Sequence, residues 1–430
     1  MDPRLSVIGV APSPTVDTTV RFVLRHEVLA TQMPTGTTDC STEVSHDHPS
    51  TVRPMSDLLD RATSLGEVIE AHADDAERNR RLSAATVDAL VGADMMRMCV
   101  PAVYGGPEID PPTMIRTIAE LARADGAAGW CSMIASTTSS MSSYLPAATA
   151  RAIYAEPDIV TGGVFAPNGR GVVTERDGIA GMTVSGRWAW GSGTQHSDWV
   201  MGGVLADDDR FRLAWFEQAD ITFHDTWHTG GMRGSGSLDY SVDNVFVSFE
   251  RTMEPGITEP VVDCDITRFS NFTLLAACVA AVGLGVGRRA IDELVDLAGA
   301  KRPQYSSKSL AENSFTQIEL AAAEARLRGA RAFLLDEVDS AWAAVRRGAE
   351  MTLDHRVGIR MAAVDAARAG VDAADAAFTL AGGAAVYDTS VLGRCLRDAH
   401  VVTQHIQTAP KLNATIGRIL MGLDADTSMF

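Results

Sequence analysis

The chain has 430 residues, 46% of them apolar and 6% aromatic, enough for two or three packed units around sizeable cores. Its 37 Lys and Arg against 55 Asp and Glu leave a formal charge of −18, which repels phosphate backbones and anionic lipid and argues against nucleic-acid and membrane partners. The six cysteines (Cys40, Cys99, Cys131, Cys264, Cys278, Cys395) show no CxxC spacing and sit mostly in apolar company. They read as free thiols of a reducing compartment, so a cytoplasmic location is expected.

Residues 1–54 are rich in Thr, Ser and Pro and read as a disordered or extended N-terminal arm. Charges at Asp2, Arg4, Asp17, Arg21 and Arg25 break any apolar core of an export signal there. Met55 opens a clean helical pattern and is an alternative start of the functional chain. An N-terminal helical domain is expected over 55–155, since Leu58, Leu59, Ala62, Leu65, Val68 and Ile69 recur at helical spacing and Pro111-Pro112 suits a helix start. Over 156–258, short β-branched and aromatic runs alternate with Gly, Asn and Asp turns, the pattern of an antiparallel sheet or barrel. From 259 to 430 the helical period returns in four long, Ala-rich amphipathic stretches, expected to close as a four-helix bundle. The fold class is therefore α+β, mostly α: helices, then a central β-barrel, then a bundle. The longest uncharged run, Phe269–Gly287, carries Ser, Asn, Thr and several glycines and reads as a buried helix rather than a membrane span.

Several motifs fail on context. Gly283–Gly287, "GLGVG", lies inside an apolar helix pattern with no preceding strand, so helix packing explains it better than phosphate binding. His224 and His228 are four apart but sit in a glycine-bounded loop, a poor frame for a metal. His46 and His48 read as solvated polar residues. No GxSxG, HExxH or P-loop occurs, and no metal site is expected.

Three segments cohere. Gly186–Trp199, "GRWAWGSGTQHSDW", places three tryptophans among glycines and serines, a composition suited to packing a flat ring. Trp227–Ser237, "WHTGGMRGSGS", is a Gly-rich turn holding Arg233 and Ser235. Leu392–His405, "LGRCLRDAHVVTQH", gathers Arg397, Asp398, His400 and His405. Asp398 and His405 are seven apart, which on a continuous helix puts them on one face.

With "VPAVYGG" after the first helices and "VDNVFV" after the Gly-rich turn, these segments resemble, in order and spacing over residues 55 to about 422, the acyl-CoA dehydrogenase superfamily. Within it they resemble the group D flavin-dependent monooxygenases, the oxygenase components of two-component aromatic hydroxylases. That resemblance implies an N-terminal helical domain, a central β-barrel and a C-terminal four-helix bundle, assembled as a homotetramer. It also implies reduced FMN or FAD delivered by a separate flavin reductase using NAD(P)H, and dioxygen adding to the flavin as a C4a-hydroperoxide. The substrate class implied is a small phenolic or polycyclic aromatic compound of the kind found in secondary metabolism.

The same resemblance assigns candidate residues. Ser192 falls where the family places a hydroxyl facing flavin N5, with Trp190 and Gly193 beside it. Arg233 and Ser235 belong to the second flavin-binding turn, and Arg302 or Lys308 supplies a cation for the flavin phosphate, from this or a neighbouring subunit. His405 matches the histidine beside the reacting carbon, a proton acceptor at neutral pH, with His400 as a second candidate. Trp130, Tyr144, Phe165, His196 and Ser390 are candidate pocket residues. Arg397 and Asp398 are expected to form an ion pair.

The departures separate this chain from the dehydrogenases. Aligned on Arg394, Arg397 and Asp398, the place of the dehydrogenase base holds Ser390, and its other known place falls within Ile266–Ile291, which has no Asp or Glu. Losing that base removes roughly 10²- to 10⁴-fold of α-deprotonation. The Arg-x-x-Phe-Gly signature for the FAD diphosphate is replaced by "KRPQYSSKS". The competing readings are an acyl-CoA dehydrogenase working through Asp388 or a displaced acid, and a flavin-free relative without catalysis.

Overall fold

The computed structural model describes residues 56–430; the arm over 1–54, with Cys40, His46 and His48, and Met55 lie outside them. Six helices come first: α1 (Ser56–Ser64), α2 (Gly66–Asn79), α3 (Ala84–Gly92), α4 (Pro111–Ala124), α5 (Gly126–Ser139) and α6 (Ala147–Tyr154). Local chemistry sets their starts. Asp110 caps α4 by accepting from Thr113 N–H, with two prolines where no donor is needed, and Asp125 both ends α4 and caps α5 through Ala128 N–H. The one-residue hinge at Asp125 sends α5 through the middle of the molecule, where nearly all of its side chains are buried.

The middle block forms a seven-stranded sheet: β1 (Thr161–Arg176), β2 (Ile179–Trp188), β3 (Trp199–Ala206), β4 (Phe211–Glu217), β5 (Thr222–His224), β6 (Asp239–Ser248) and β7 (Thr252–Met253). Their order is β5-β6-β2-β1-β3-β4-β7. No pairing among the described residues joins edge strands β5 and β7. One pair departs from the antiparallel expectation: β1 and β3 run parallel. Parallel neighbours need a crossover, and here the chain leaves β1 through β2 and then crosses past β1 to β3 by the segment 189–198, which carries the Gly- and Trp-rich sequence singled out above. The site is thus built on a connection that the topology forces out of the sheet.

An apolar cluster packs on each face of the sheet. On one, Trp188 stacks on Tyr240 with ring centroids 5.2 Å apart and packs against Phe216; on the other, Trp215 donates from its indole to Tyr154 Oη of α6 at 3.0 Å. Each such large apolar side chain stabilises the fold by ~1.5–3 kcal/mol on burial.

The last block contains α7 (Asn271–Ala300), α8 (Ser314–Arg346), α9 (Leu353–Ala381), α10 (Val391–Val402) and a short α11 (Leu412–Leu420). Helices α7 to α10 pack together, as the amphipathic stretches predict. By length and composition α7 could cross a membrane, but its apolar residues are mostly buried inside the protein. The glycines of "GLGVG" serve packing: a Cβ on Gly283 would stand 3.3 Å from Ala367 Cα, and one on Gly287 would stand 2.9 Å from Gly370 Cα. Bare backbone therefore lets α7 and α9 approach closely.

Candidate active site

The crossover after β2 and the Gly-rich turn before β6 are zipped together by their backbones. Gly191 N–H donates to Leu238 O at 2.9 Å, and Gly193 N–H donates to Ser235 O at 3.0 Å. Gly193 has φ 68°, a conformation glycine adopts without strain. Trp190 has φ 65° and is 74% exposed. A bulky residue in the left-handed region with its indole in solvent is held there by its neighbours at a conformational cost, an arrangement found at ligand clamps. Of the three tryptophans in this segment, only Trp190 offers a free face; Trp188 lies in the sheet core and Trp199 lies under the Arg251 guanidinium.

Beneath this loop the hydroxyls meet. Trp130 of α5 donates its indole N–H to Ser192 Oγ at 2.9 Å, and Ser192 Oγ stands 2.6 Å from Ser237 Oγ. Ser237 Oγ stands 2.6 Å from Ser235 Oγ, which donates to Met232 O at 2.7 Å. Ser237, inside the quoted turn but not among the expected site residues, is thus the link between the two loops. The turn itself is tethered from α10: Asp398 Oδ1 accepts from Met232 N–H at 2.5 Å, and Met232 holds a left-handed φ of 50°.

The expected Arg397–Asp398 pair does not form. Arg397 instead donates to Glu77 Oε1 at 2.8 Å. Asp398 is buried and its carboxyl is pushed up to about 7, first by burial and then by the charge of Asp125. Both carboxylates border a small cleft at the start of α5, with Val286, Arg289 and Arg394. None of the expected site residues lines it.

His405 is not on the helix face with Asp398, because α10 stops at Val402 and residues 403–408 form turns in which Thr408 Oγ1 donates to Val402 O. The turn brings His405 against Trp130, edge to face, with ring centroids 5.5 Å apart. Its Nδ1 accepts from Gln407 N–H at 3.3 Å, which in the neutral ring leaves the hydrogen on Nε2. Burial, then the positive charge of Arg360, lowers its pKa to about 4. A ring so hard to protonate, presenting N–H, is suited to donating a hydrogen bond. Arg360, fully buried on α9, bonds to Gln407 O, Gln407 Oε1, Phe272 O and Met429 O. The sequence does not single it out, because Arg356, Arg360 and Arg368 of this Ala-rich helix all read as a solvated face.

Phe165 on β1 packs against Phe272 at the start of α7, with centroids 5.3 Å apart, and Tyr144 donates to Thr267 O at 3.4 Å nearby. These two candidate pocket residues belong to an apolar cluster between sheet and helices. His196 is half-buried in the crossover, its pKa lowered to about 4 by burial and then Arg81.

Four of the expected site residues make contacts within the chain. His400 is exposed and 3.2 Å from Asp375 Oδ1. Ser390 accepts from Gly393 N–H at 3.4 Å as the cap of α10. Arg233 is engaged in holding α2, donating to Glu77 O at 3.0 Å and to Thr229 O at 3.3 Å. Ser235, 1% exposed, supports the hydroxyl chain from beneath. Arg302 and Lys308 stand exposed on the loop between α7 and α8, with Arg302 donating to Ser307 O at 3.0 Å. His224 bonds Ser241 Oγ and His228 lies near Asp225; among the described residues no group of three or more His, Cys, Asp or Glu is placed to hold a metal ion.

Helices, sheet and bundle in this order, with a Gly-rich crossover docked on a buried central helix, define an acyl-CoA dehydrogenase-like protein. The family models agree: residues 61–150 match "Acyl-CoA dehydrogenase, N-terminal domain" and residues 277–410 match "Acyl-CoA dehydrogenase, C-terminal domain". The chain is 32% identical over 335 residues to an indole-3-acetate monooxygenase of Pseudomonas putida, spanning 76% of this chain and 84% of that one. It is 25% identical over 366 residues to the flavin-dependent monooxygenase oxygenase subunit HsaA of Rhodococcus jostii, spanning 82% and 95%. Among solved structures, the 3-HSA hydroxylase of Rhodococcus sp. RHA1 superposes with a TM-score of 0.80 at 25% identity, covering 87% of this chain and 99% of that one. The chain belongs to the acyl-CoA dehydrogenase superfamily, in the branch that holds the flavin-dependent monooxygenases.

Proposed function

We propose that this protein is the cytoplasmic oxygenase component of a two-component monooxygenase that hydroxylates a small phenolic or related aromatic substrate. Reduced FMN or FAD comes from a separate NAD(P)H-dependent reductase, and when bound it supplies dioxygen activation as a C4a-hydroperoxide. The observation that carries the reading is the junction at Trp130: its N–H fixes Ser192 on one loop, while its ring packs against His405 on another.

The residues present fit a flavin. The exposed indole of Trp190, held left-handed beside Ser192, offers a face for a flat ring. Ser192 would meet N5. His405 would donate from Nε2 to a substrate oxygen and orient the ring, and Phe165, Tyr144 and Phe272 would help exclude water. Arg302 and Lys308, exposed on their loop, suit a phosphate of flavin bound by a neighbouring copy. Exposed Phe315 and Ile318 on α8, with Val386 and Tyr387 before α10, suit packing between copies of a homotetramer. The dehydrogenase alternative loses support, since Ser390 is a helix cap and Asp388 is exposed.

The test is turnover of the full chain with a flavin reductase, NADH and ¹⁸O₂ on a panel of phenols and indole-3-acetate. One labelled oxygen atom in an aromatic product is expected. Absence of any oxygenated product, with dye-coupled oxidation of acyl-CoA thioesters instead, would overturn the reading.

A further inference from the structure

The hydroxyl chain under the crossover has a direction fixed from one end. Met232 O can only accept, so the single hydroxyl proton of Ser235 lies on the 2.7 Å bond to it. The 2.6 Å contact between Ser235 and Ser237 then needs the proton of Ser237. The 2.6 Å contact between Ser237 and Ser192 in turn needs the proton of Ser192. Trp130 N–H occupies one acceptor position on Ser192. Ser192 is left with one acceptor position and no proton to give. Ser192, Ser235 and Ser237 are 6%, 1% and 3% exposed, so water does not reset these bonds.

We propose that Ser235 and Ser237 determine which redox state of the flavin this protein binds, by holding Ser192 as an acceptor only. This rests on the reading that Ser192 meets flavin N5. Reduced flavin carries a hydrogen on N5 and donates it to Ser192. Oxidised flavin has a bare N5, and two acceptors then face each other in a dry site, an arrangement that polar sites reject strongly. The chain thus favours the form the reductase delivers and releases the form that must return to it. Ser235 and Ser237 act through Ser192 and are positioning residues.

The test is anaerobic titration of wild type, Ser237→Ala, Ser235→Ala and Ser237→Thr with reduced and with oxidised FMN and FAD, followed by fluorescence. Wild type is expected to bind the reduced form more tightly. Ser237→Ala frees the Ser192 proton, so oxidised flavin binds more tightly and the reduced-over-oxidised preference falls roughly tenfold, the worth of one hydrogen bond. Ser235→Ala lowers the preference in the same sense, and Ser237→Thr, which keeps the hydroxyl, restores it. Circular dichroism confirms that each variant is folded, and Ser235→Ala carries the test if Ser237→Ala is not. Equal affinity of wild type for both forms, or a preference unchanged in folded alanine variants, overturns the inference while leaving the flavin reading intact. Failure of wild type to bind either form overturns the flavin reading itself.

Discussion

Trp130 joins two regions built on different physics. Where its N–H points, three serine hydroxyls and a backbone carbonyl form a neutral hydrogen-bonded chain. Where its ring packs on His405, a buried arginine bonds only to carbonyl and amide oxygens, with no carboxylate pairing it among the described residues. The first region fixes positions of atoms by hydrogen-bond direction; the second sets a charge state, keeping an imidazole neutral beside an uncompensated cation. One site uses the low dielectric of the interior in both ways.

Arg360→Met breaks the second region most severely. It leaves the oxygens of Gln407, Phe272 and Met429 without their donor, and urea unfolding should show a loss of about 3 kcal/mol. In the variant that folds, the His405 pKa should rise from about 4, visible by NMR titration, since its neighbouring positive charge is gone. An unchanged pKa would show that burial alone holds the ring neutral.

Asp398→Asn sharpens the first region. Because the carboxyl of Asp398 is raised to about 7 in the fold from a reference near ~3.9, the stability its protonated form contributes is complete below pH ~4 and is lost as pH rises through about 7. The variant keeps an acceptor for Met232 N–H but cannot ionise. It should therefore gain about 3 kcal/mol relative to wild type at pH 8 and little at pH 4, measured as the difference between their urea midpoints.

His405 and His196 have the opposite sign. Their folded values near 4 lie below the unfolded reference, so the stability of the neutral rings is present above pH ~6.5 and lost as pH falls toward 4. His196→Gln should flatten part of the melting-temperature decline between those values. A slope identical to wild type would place the acid sensitivity elsewhere.

The smallest effects are expected at Ser390 and His400, whose contacts in the fold are local. Ser390→Ala should cost about 0.5–1 kcal/mol of stability through its lost cap and leave turnover within about twofold of wild type. His400→Ala, removing an exposed pair, should change stability by less than ~0.5 kcal/mol and turnover no more. A large loss of activity in either would give that residue a part in the site.

What the sequence disclosed follows from these same distinctions. Helices, sheet and bundle were legible because burial imposes a period on the chain. The crossover and the Gly-rich turn were legible because tryptophan and glycine together are a costly composition, and the structure does join them. Ser237 was not separable from its neighbours, since what marks it is two contacts made after the loops dock. Asp398 was misassigned to Arg397 because adjacency in sequence says nothing about which way neighbouring helix positions face. His405 was placed on a helix that ends three residues earlier, and its neutral state depends on Arg360, 45 positions away in the chain. The exposure of Trp190 was not legible, because it follows from a left-handed backbone at a bulky residue, which sequence alone does not announce.

The most direct measurement is a crystal structure of the full chain with reduced flavin bound under anaerobic conditions. The account predicts the ring lying along Trp190 with N5 within hydrogen-bond distance of Ser192 Oγ. A flavin bound elsewhere, such as in the cleft between Asp125 and Asp398, would contradict it.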